Sequence, residues 1–253
     1  MALLEVEDLA IHFGGVLALD GVDFSVEKGE ILGIIGPNGA GKTTIFNCIN
    51  RLYDPHRGKI RFKGKDLLRM KPSEIAPLGI ARTFQNVELF PYMTALENLL
   101  LARHCHLRTG LFSAAFFLPA VRREEMEARR RVEEIMELLE LEPARKQLVA
   151  NLPFGIQKLV EIGRALATEP ELMLMDEPAA GMNVEEREDL ALYIKEMREQ
   201  LGLTLVLVEH DLRLVMDICD RVVVLNFGRK IAEGSPAEVQ RNPVVIEAYV
   251  GEQ

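Results

Sequence analysis

The chain has 253 residues, the length of one large domain or two small ones, and its 48% hydrophobic and 27% charged content is globular rather than collagenous, coiled-coil or disordered. Lys and Arg number 30 against 39 Asp and Glu, a formal charge of −9, which argues against a non-specific grip on the nucleic-acid backbone. The three cysteines, Cys48, Cys105 and Cys219, form no CxxC pair, so neither a disulfide framework nor a structural zinc site is expected, and a reducing cytosol is the expected compartment.

The opening segment MALLEVEDLAIHF carries acids among its apolar residues and lacks the basic start and long apolar centre of a signal peptide. LLEVED and VDFSVEKGE alternate as strands, and Ile31 to Ile35 is a continuous apolar run of the kind buried on both faces of a sheet. The glycine-rich loop Gly36-Pro37-Asn38-Gly39-Ala40-Gly41-Lys42-Thr43-Thr44 follows and leads into IFNCINRLYD, whose Ile45, Ile49 and Leu52 recur at helical spacing.

From about Gln85 the strand signals fade, and NVELFPYMTALENLLLARHC and REEMEARRRVEEIMELLEL read as helices. Residues 86–158 are expected to form an inserted helical subdomain, with 1–85 and 159–253 as the nucleotide-binding core of a single domain. Within it, Thr109 to Val121 is uncharged but too short to span a bilayer, and its segment LFSAAFFLPAV is either a buried helix or a patch facing membrane or partner. His104-Cys105-His106 point in different directions on a helix and are not expected to bind metal. Strands return with ELMLMD, TLVLVE and RVVVLNFG around the helical VEEREDLALYIKEMREQ, the alternation of a parallel α/β sheet. Ser235-Pro236-Ala237-Glu238 and Asn242-Pro243 each open a terminal helix.

Gly36 to Thr43 matches GxxxxGK[ST] at every fixed position, between a buried strand and a helix. In that setting main-chain N–H groups cradle phosphates, the helix start adds partial positive charge, Lys42 reaches the β- and γ-phosphates and the Thr43 hydroxyl ligates Mg²⁺. Leu172 to Glu177 ends an apolar run in two acids, where a parallel sheet presents its carboxyl edge. Asp176 is expected to hold Mg²⁺ and Glu177 to orient or deprotonate the attacking water.

With both motifs in place the chain resembles the ATP-binding subunit of an ABC transporter over essentially all of its length. The resemblance implies a P-loop NTPase (RecA-like) α/β core with N-terminal antiparallel β strands and an inserted α-helical subdomain. It places the adenine-stacking aromatic on Phe13, a glutamine that touches Mg²⁺ or water on Gln85, and a γ-phosphate-binding histidine on His210. The family signature reads Leu152-Pro153-Phe154-Gly155-Ile156-Gln157-Lys158, with Pro153 where serine is common, so one γ-phosphate donor is missing while Gly155 remains. ATP, released as ADP, and Mg²⁺ are the implied ligands, and a head-to-tail dimer that brings Gly155 of one chain to the Walker loop of the other is the implied assembly.

Arg82-Thr83-Phe84-Gln85-Asn86, Ala179-Ala180-Gly181-Met182-Asn183, the insertion around 104–122 and the ending Glu247 to Gly251 look like the ATPases of branched-chain amino acid importers. Lipopolysaccharide-export ATPases are the alternative, and a weakly hydrolysing nucleotide switch a second. The resemblance implies integral membrane permease subunits, a second ATPase subunit of the same or a paralogous chain, an extracytoplasmic solute-binding protein acting indirectly, no nucleic acid, and a peripheral place on the cytoplasmic face of the membrane. Phe90, Pro91, Tyr92 and Met93 form an apolar cluster that is either the permease dock or core packing of the helical subdomain.

Overall fold

The computed structural model describes residues 2–83, 88–106 and 119–250. Strands β1 (Leu4–Phe13) and β2 (Val16–Val26) pair antiparallel, and β3 (Ile31–Ile35) runs into the glycine loop and helix α1 (Lys42–Ile49). Next come β4 (Arg57–Phe62), β5 (Lys65–Asp66), β6 (Ile80–Thr83) and three helices, α2 (Ala95–Ala102), α3 (Pro119–Leu138) and α4 (Phe154–Leu166). The chain then alternates through β7 (Leu172–Asp176), α5 (Val184–Leu201), β8 (Thr204–Val208), α6 (Leu212–Ile218) and β9 (Arg221–Asn226). It closes with β10 (Arg229–Gly234), α7 (Pro236–Arg241) and α8 (Pro243–Val250).

Four strands form one sheet in the order β2-β1-β4-β5, and six form a second in the order β10-β9-β3-β8-β7-β6. Strand pairs from β9 across to β6 are parallel, and β10 adds an antiparallel edge. β3, β7 and β8 are buried at every position, so both faces of the six-stranded sheet must be covered.

Side-chain parity shows by what. Ile31, Ile35, Met173, Met175, Leu205, Leu207, Val222 and Val224 join the core built with Leu99 of α2, Val132 and Met136 of α3, Val160 of α4 and Ile194 of α5. Their alternates, Leu32, Ile34, Leu172, Leu174, Val206, Val208, Val223 and Leu225, pack on Ile45 and Phe46 of α1 and on Leu4, Val6, Phe24 and Phe62 of the antiparallel sheet. The registers agree, with Ile31 opposite Leu205, Leu32 opposite Val206 and Met173 opposite Leu205. A one-residue slip of any of these strands would exchange its two faces.

Some elements differ from the sequence reading. The helix expected from about residue 86 begins only at Ala95, capped by Thr94, whose hydroxyl accepts from Glu97 N–H while the Glu97 carboxylate accepts from Thr94 N–H. Ahead of it Pro91 interrupts the pattern, and the buried Asn98 amide holds the backbone of Phe90, accepting from its N–H at 2.9 Å and donating to its carbonyl at 3.1 Å. β4, β6 and β10 go beyond the strands read from sequence, because each is short and mixes charged with apolar residues. Among the described residues no helix is long and apolar enough to cross a membrane.

Candidate functional site: the carboxyl edge of the parallel sheet

The strand registers bring three loops to one edge, since Val208 lies opposite both Ile34 and Asp176. The glycine loop leaves β3 there. Gly36 is buried, and a Cβ on it would fall on the carbonyl oxygen of Leu225 in β9, so only glycine lets the loop turn this close to the neighbouring strand. Pro37 and Ala40 are buried, while Asn38 and Gly39 form the exposed tip. The buried Lys42 ammonium donates to the carbonyls of Gly36 at 2.7 Å and Pro37 at 3.0 Å, which holds the charge over the loop. Helix α1 starts after Gly41, at φ 101°, with no side-chain cap and no acid in its first turn, unlike α2 and α5, whose starts carry both. The N–H groups of its first turn and its dipole make that end receptive to an anion. Thr43 is exposed and Thr44 half-buried in the same turn.

Asp176 ends β7 at 1% exposure. Its Oδ2 is 2.8 Å from the Arg82 guanidinium, which also donates to Asn47 Oδ1 of α1 at 2.7 Å. Its Oδ1 is buried without a hydrogen-bond partner. An unsatisfied buried carboxylate oxygen costs about 1–3 kcal/mol or more, and a cation beside it removes that cost. A carboxylate oxygen such as that of Asp176 with a hydroxyl such as that of Thr43 is a donor set that suits a hard, oxygen-seeking ion such as Mg²⁺.

Glu177 follows with φ 49°, a left-handed conformation rare for a side-chain-bearing residue, fixed by its N–H donating to Val208 O at 2.8 Å. That turn aims its carboxylate at the loop after β8, where Glu177 Oε1 meets His210 Nε2 at 2.9 Å. The two residues separately expected to serve hydrolysis are thus in direct contact. Beside them lies a cavity of about 300 Å³ lined by Glu177, Ala180, Gly181, Arg187, His210 and Asp211.

Sequence reasoning missed Glu209. This carboxylate is 3% exposed and accepts from the N–H groups of Ala179 at 2.8 Å, His210 at 3.0 Å and Asp211 at 3.4 Å. Burial pushes its carboxyl up from the usual range, and the three N–H bonds oppose that shift. The signal was present in TLVLVE, an apolar run ending in an acid as LMLMDE does. Arg187 forms a second tie, donating to Met182 O at 3.0 Å and to Asp211 Oδ2 at 2.9 Å.

Phe13 is exposed at the end of β1, edge-on to Tyr53 with centroids 4.9 Å apart. Beside it in the chain, His12 stacks on His56 at 3.8 Å. Pro153 precedes the first turn of α4, and the exposed Phe154 ring lies where a Cβ on Gly181 would stand. Gly155 is buried, and the Glu186 carboxylate fills the space its Cβ would take. Gln85 lies outside the described residues, as do its neighbours 84, 86 and 87 and most of LFSAAFFLPAV.

A glycine loop between a buried central strand and an uncapped helix, with acids on the adjoining strand edge, defines a P-loop nucleotide-binding protein. Comparison with known proteins narrows the class. The family model "ABC transporter" matches residues 19–180, and "Branched-chain amino acid ATP-binding cassette transporter" matches 229–253. The chain is 44% identical over 250 residues to the high-affinity branched-chain amino acid transport ATP-binding protein BraF of Pseudomonas aeruginosa, covering 99% of this chain and 98% of that one. It superposes with TM-score 0.86 and 36% identity on the ADP conformation of MJ1267, an ATP-binding cassette of an ABC transporter, over 99% of each chain. The dimeric bacterial cassette MJ0796 matches with TM-score 0.77 and 26% identity over 92% of this chain and 98% of that one. The chain belongs to the ABC transporter family, as an ATP-binding and ATP-hydrolysing subunit.

Proposed function

We propose that this ATPase powers the uptake of branched-chain, hydrophobic amino acids, two cassettes closing head to tail on ATP and reopening after hydrolysis. The Glu177–His210 contact at the edge of the cavity carries the hydrolytic half of this reading, because it places a carboxylate base and an imidazole side by side at the strand edge that bears the phosphate loop. The 44% identity to the BraF protein, whose name states branched-chain amino acid transport, carries the choice of solute.

Each residue then has a role. The loop N–H groups of Gly36 to Thr44 and the Lys42 ammonium bind the β- and γ-phosphates, and Phe13 stacks on adenine. Asp176, Thr43 and Gln85 would hold Mg²⁺, which would supply charge stabilisation at the phosphoryl oxygens. Glu177 takes the proton of the attacking water; the His210 Nε2–H holds that carboxylate aimed before nucleotide binds and turns to donate to the γ-phosphate once it is in place. Gly155 of the partner cassette closes on the same phosphate, which requires the Glu186 carboxylate now covering it to swing away.

Docking to the membrane falls to the segment before α2. Phe90, Pro91 and Tyr92 are exposed there, Tyr92 at 87%, on a backbone pinned by Asn98, and such a rigid aromatic ledge suits a short helix of an integral permease subunit. The cassette is then peripheral, on the cytoplasmic face, with a solute-binding protein on the opposite side selecting the solute.

The test is turnover. Glu177→Gln should lower kcat for ATP by about 10²–10⁴-fold while leaving nucleotide affinity within about twofold. Turnover equal to wild type would remove Glu177 as the base. A wild-type chain that binds ATP without hydrolysing it would be a nucleotide switch instead.

A further inference from the structure

Glu209 sits where no carboxylate belongs unless something holds it. A buried charge costs several kcal/mol when unpaired, and this one is satisfied by main-chain N–H groups from two separate loops. Oε1 accepts from Ala179, in the segment that follows Glu177, and Oε2 accepts from His210 and Asp211. A neutral hydroxyl side chain at this position would offer one oxygen and serve one loop only. Arg187 repeats the tie on the outer side, from Met182 O to Asp211 Oδ2. Ala180 and Gly181 lie between the two ties and line the cavity shared by Glu177 and His210. On its other side Gly181 meets the Phe154 ring, at the start of α4.

These contacts are joined by a short stretch of backbone into one path: Phe154 against Gly181, the chain back to Ala179, the Ala179 N–H to the Glu209 carboxylate, then His210 and Glu177. We infer that Glu209 is a positioning residue which locks the segment Ala179–Met182 to the His210 loop, so that displacement of the start of α4 moves the hydrolytic pair. Glu209 touches no reacting atom. It converts the position of the helical layer into the distance between His210 and the phosphate, and so sets turnover without setting nucleotide affinity. The proposal rests on the reading of Glu177 and His210 as the hydrolytic pair.

Glu209→Gln tests it on the full-length chain by steady-state ATPase kinetics. The variant keeps the volume but turns an amide NH₂ toward one of the N–H groups, so one loop is released. The expected result is a kcat about tenfold lower with KM for ATP within about twofold of wild type. A folded Glu209→Gln protein with wild-type kcat, or one whose loss lies in KM alone, overturns the proposal. Should that variant fail to fold, the half-exposed outer tie decides: Arg187→Gln should lower kcat about threefold at constant KM, and an unchanged kcat overturns the proposal. Wild-type turnover is measured first, because its absence overturns the hydrolytic reading and this inference together, whereas turnover that is indifferent to both substitutions overturns the coupling alone.

Discussion

At Asp176 and its neighbours, single atoms decide the chemistry. Arg82 occupies one carboxylate oxygen and leaves the other buried without a hydrogen-bond partner, so the ion pair selects the oxygen left for a cation as well as neutralising the group. The sequence made Lys42, Asp176 and Glu177 legible because each lies within a few residues of a local strand-loop pattern. Glu209 left only the trace of an acid ending an apolar run, and Arg187 and Glu186 left none, because their importance comes from partners up to 31 residues away, as in Glu186 against Gly155. The thiols give a residue-scale prediction. Burial pushes Cys48 and Cys219 up to about 12 from the ordinary 9.0, while Cys105 is exposed. Desolvation raises the Cys105 thiol too, so at pH 8 a thiol reagent should label Cys105 first, by virtue of its exposure, and the other two only on unfolding; labelling of all three together would count against this packing. A raised thiol value favours the folded state at low pH, so the stability that Cys48 and Cys219 contribute is complete below about pH 9 and lost as pH rises toward 12.

Element boundaries show where local rules hold and where they yield. The Ser235 and Glu238 capping box of α7 was readable because all its partners lie within one turn. The start of α2 was not, since the helical pattern continues upstream and only the Thr94 cap and the Asn98 clasp on Phe90 end it. β10 was missed because its stabilisation comes from pairing with β9 rather than from its own composition. That clasp leaves Tyr92 raised on a fixed ledge, and the corresponding prediction belongs to the ledge. Tyr92→Ala should leave ATPase of the isolated chain within about twofold and abolish coupled uptake in membranes reconstituted with the permease; uptake at the wild-type rate would move the dock elsewhere.

The whole molecule is a six-stranded sheet clamped between two cores, one helical and one shared with the antiparallel sheet. The helical layer carries the signature and the sheet carries the phosphate loop, so closing two chains head to tail must join different layers of each. Pro153 offers neither hydroxyl nor N–H, so in the proposed dimer that junction should be the weaker for it. In a Glu177→Gln background, Pro153→Ser should tighten ATP-dependent dimerisation about threefold or more, read by analytical ultracentrifugation, and an unchanged or looser dimer would show that the serine position makes no contact with nucleotide. The α/β order was legible from alternating runs, whereas the assignment of alternate residues to two cores needed the register of five strands. The left-handed backbone at Glu177 has one more consequence. A glycine would sit there without strain, so selection for heat resistance alone would favour replacing the proposed base, and laboratory evolution of this protein should screen turnover alongside melting temperature to keep it.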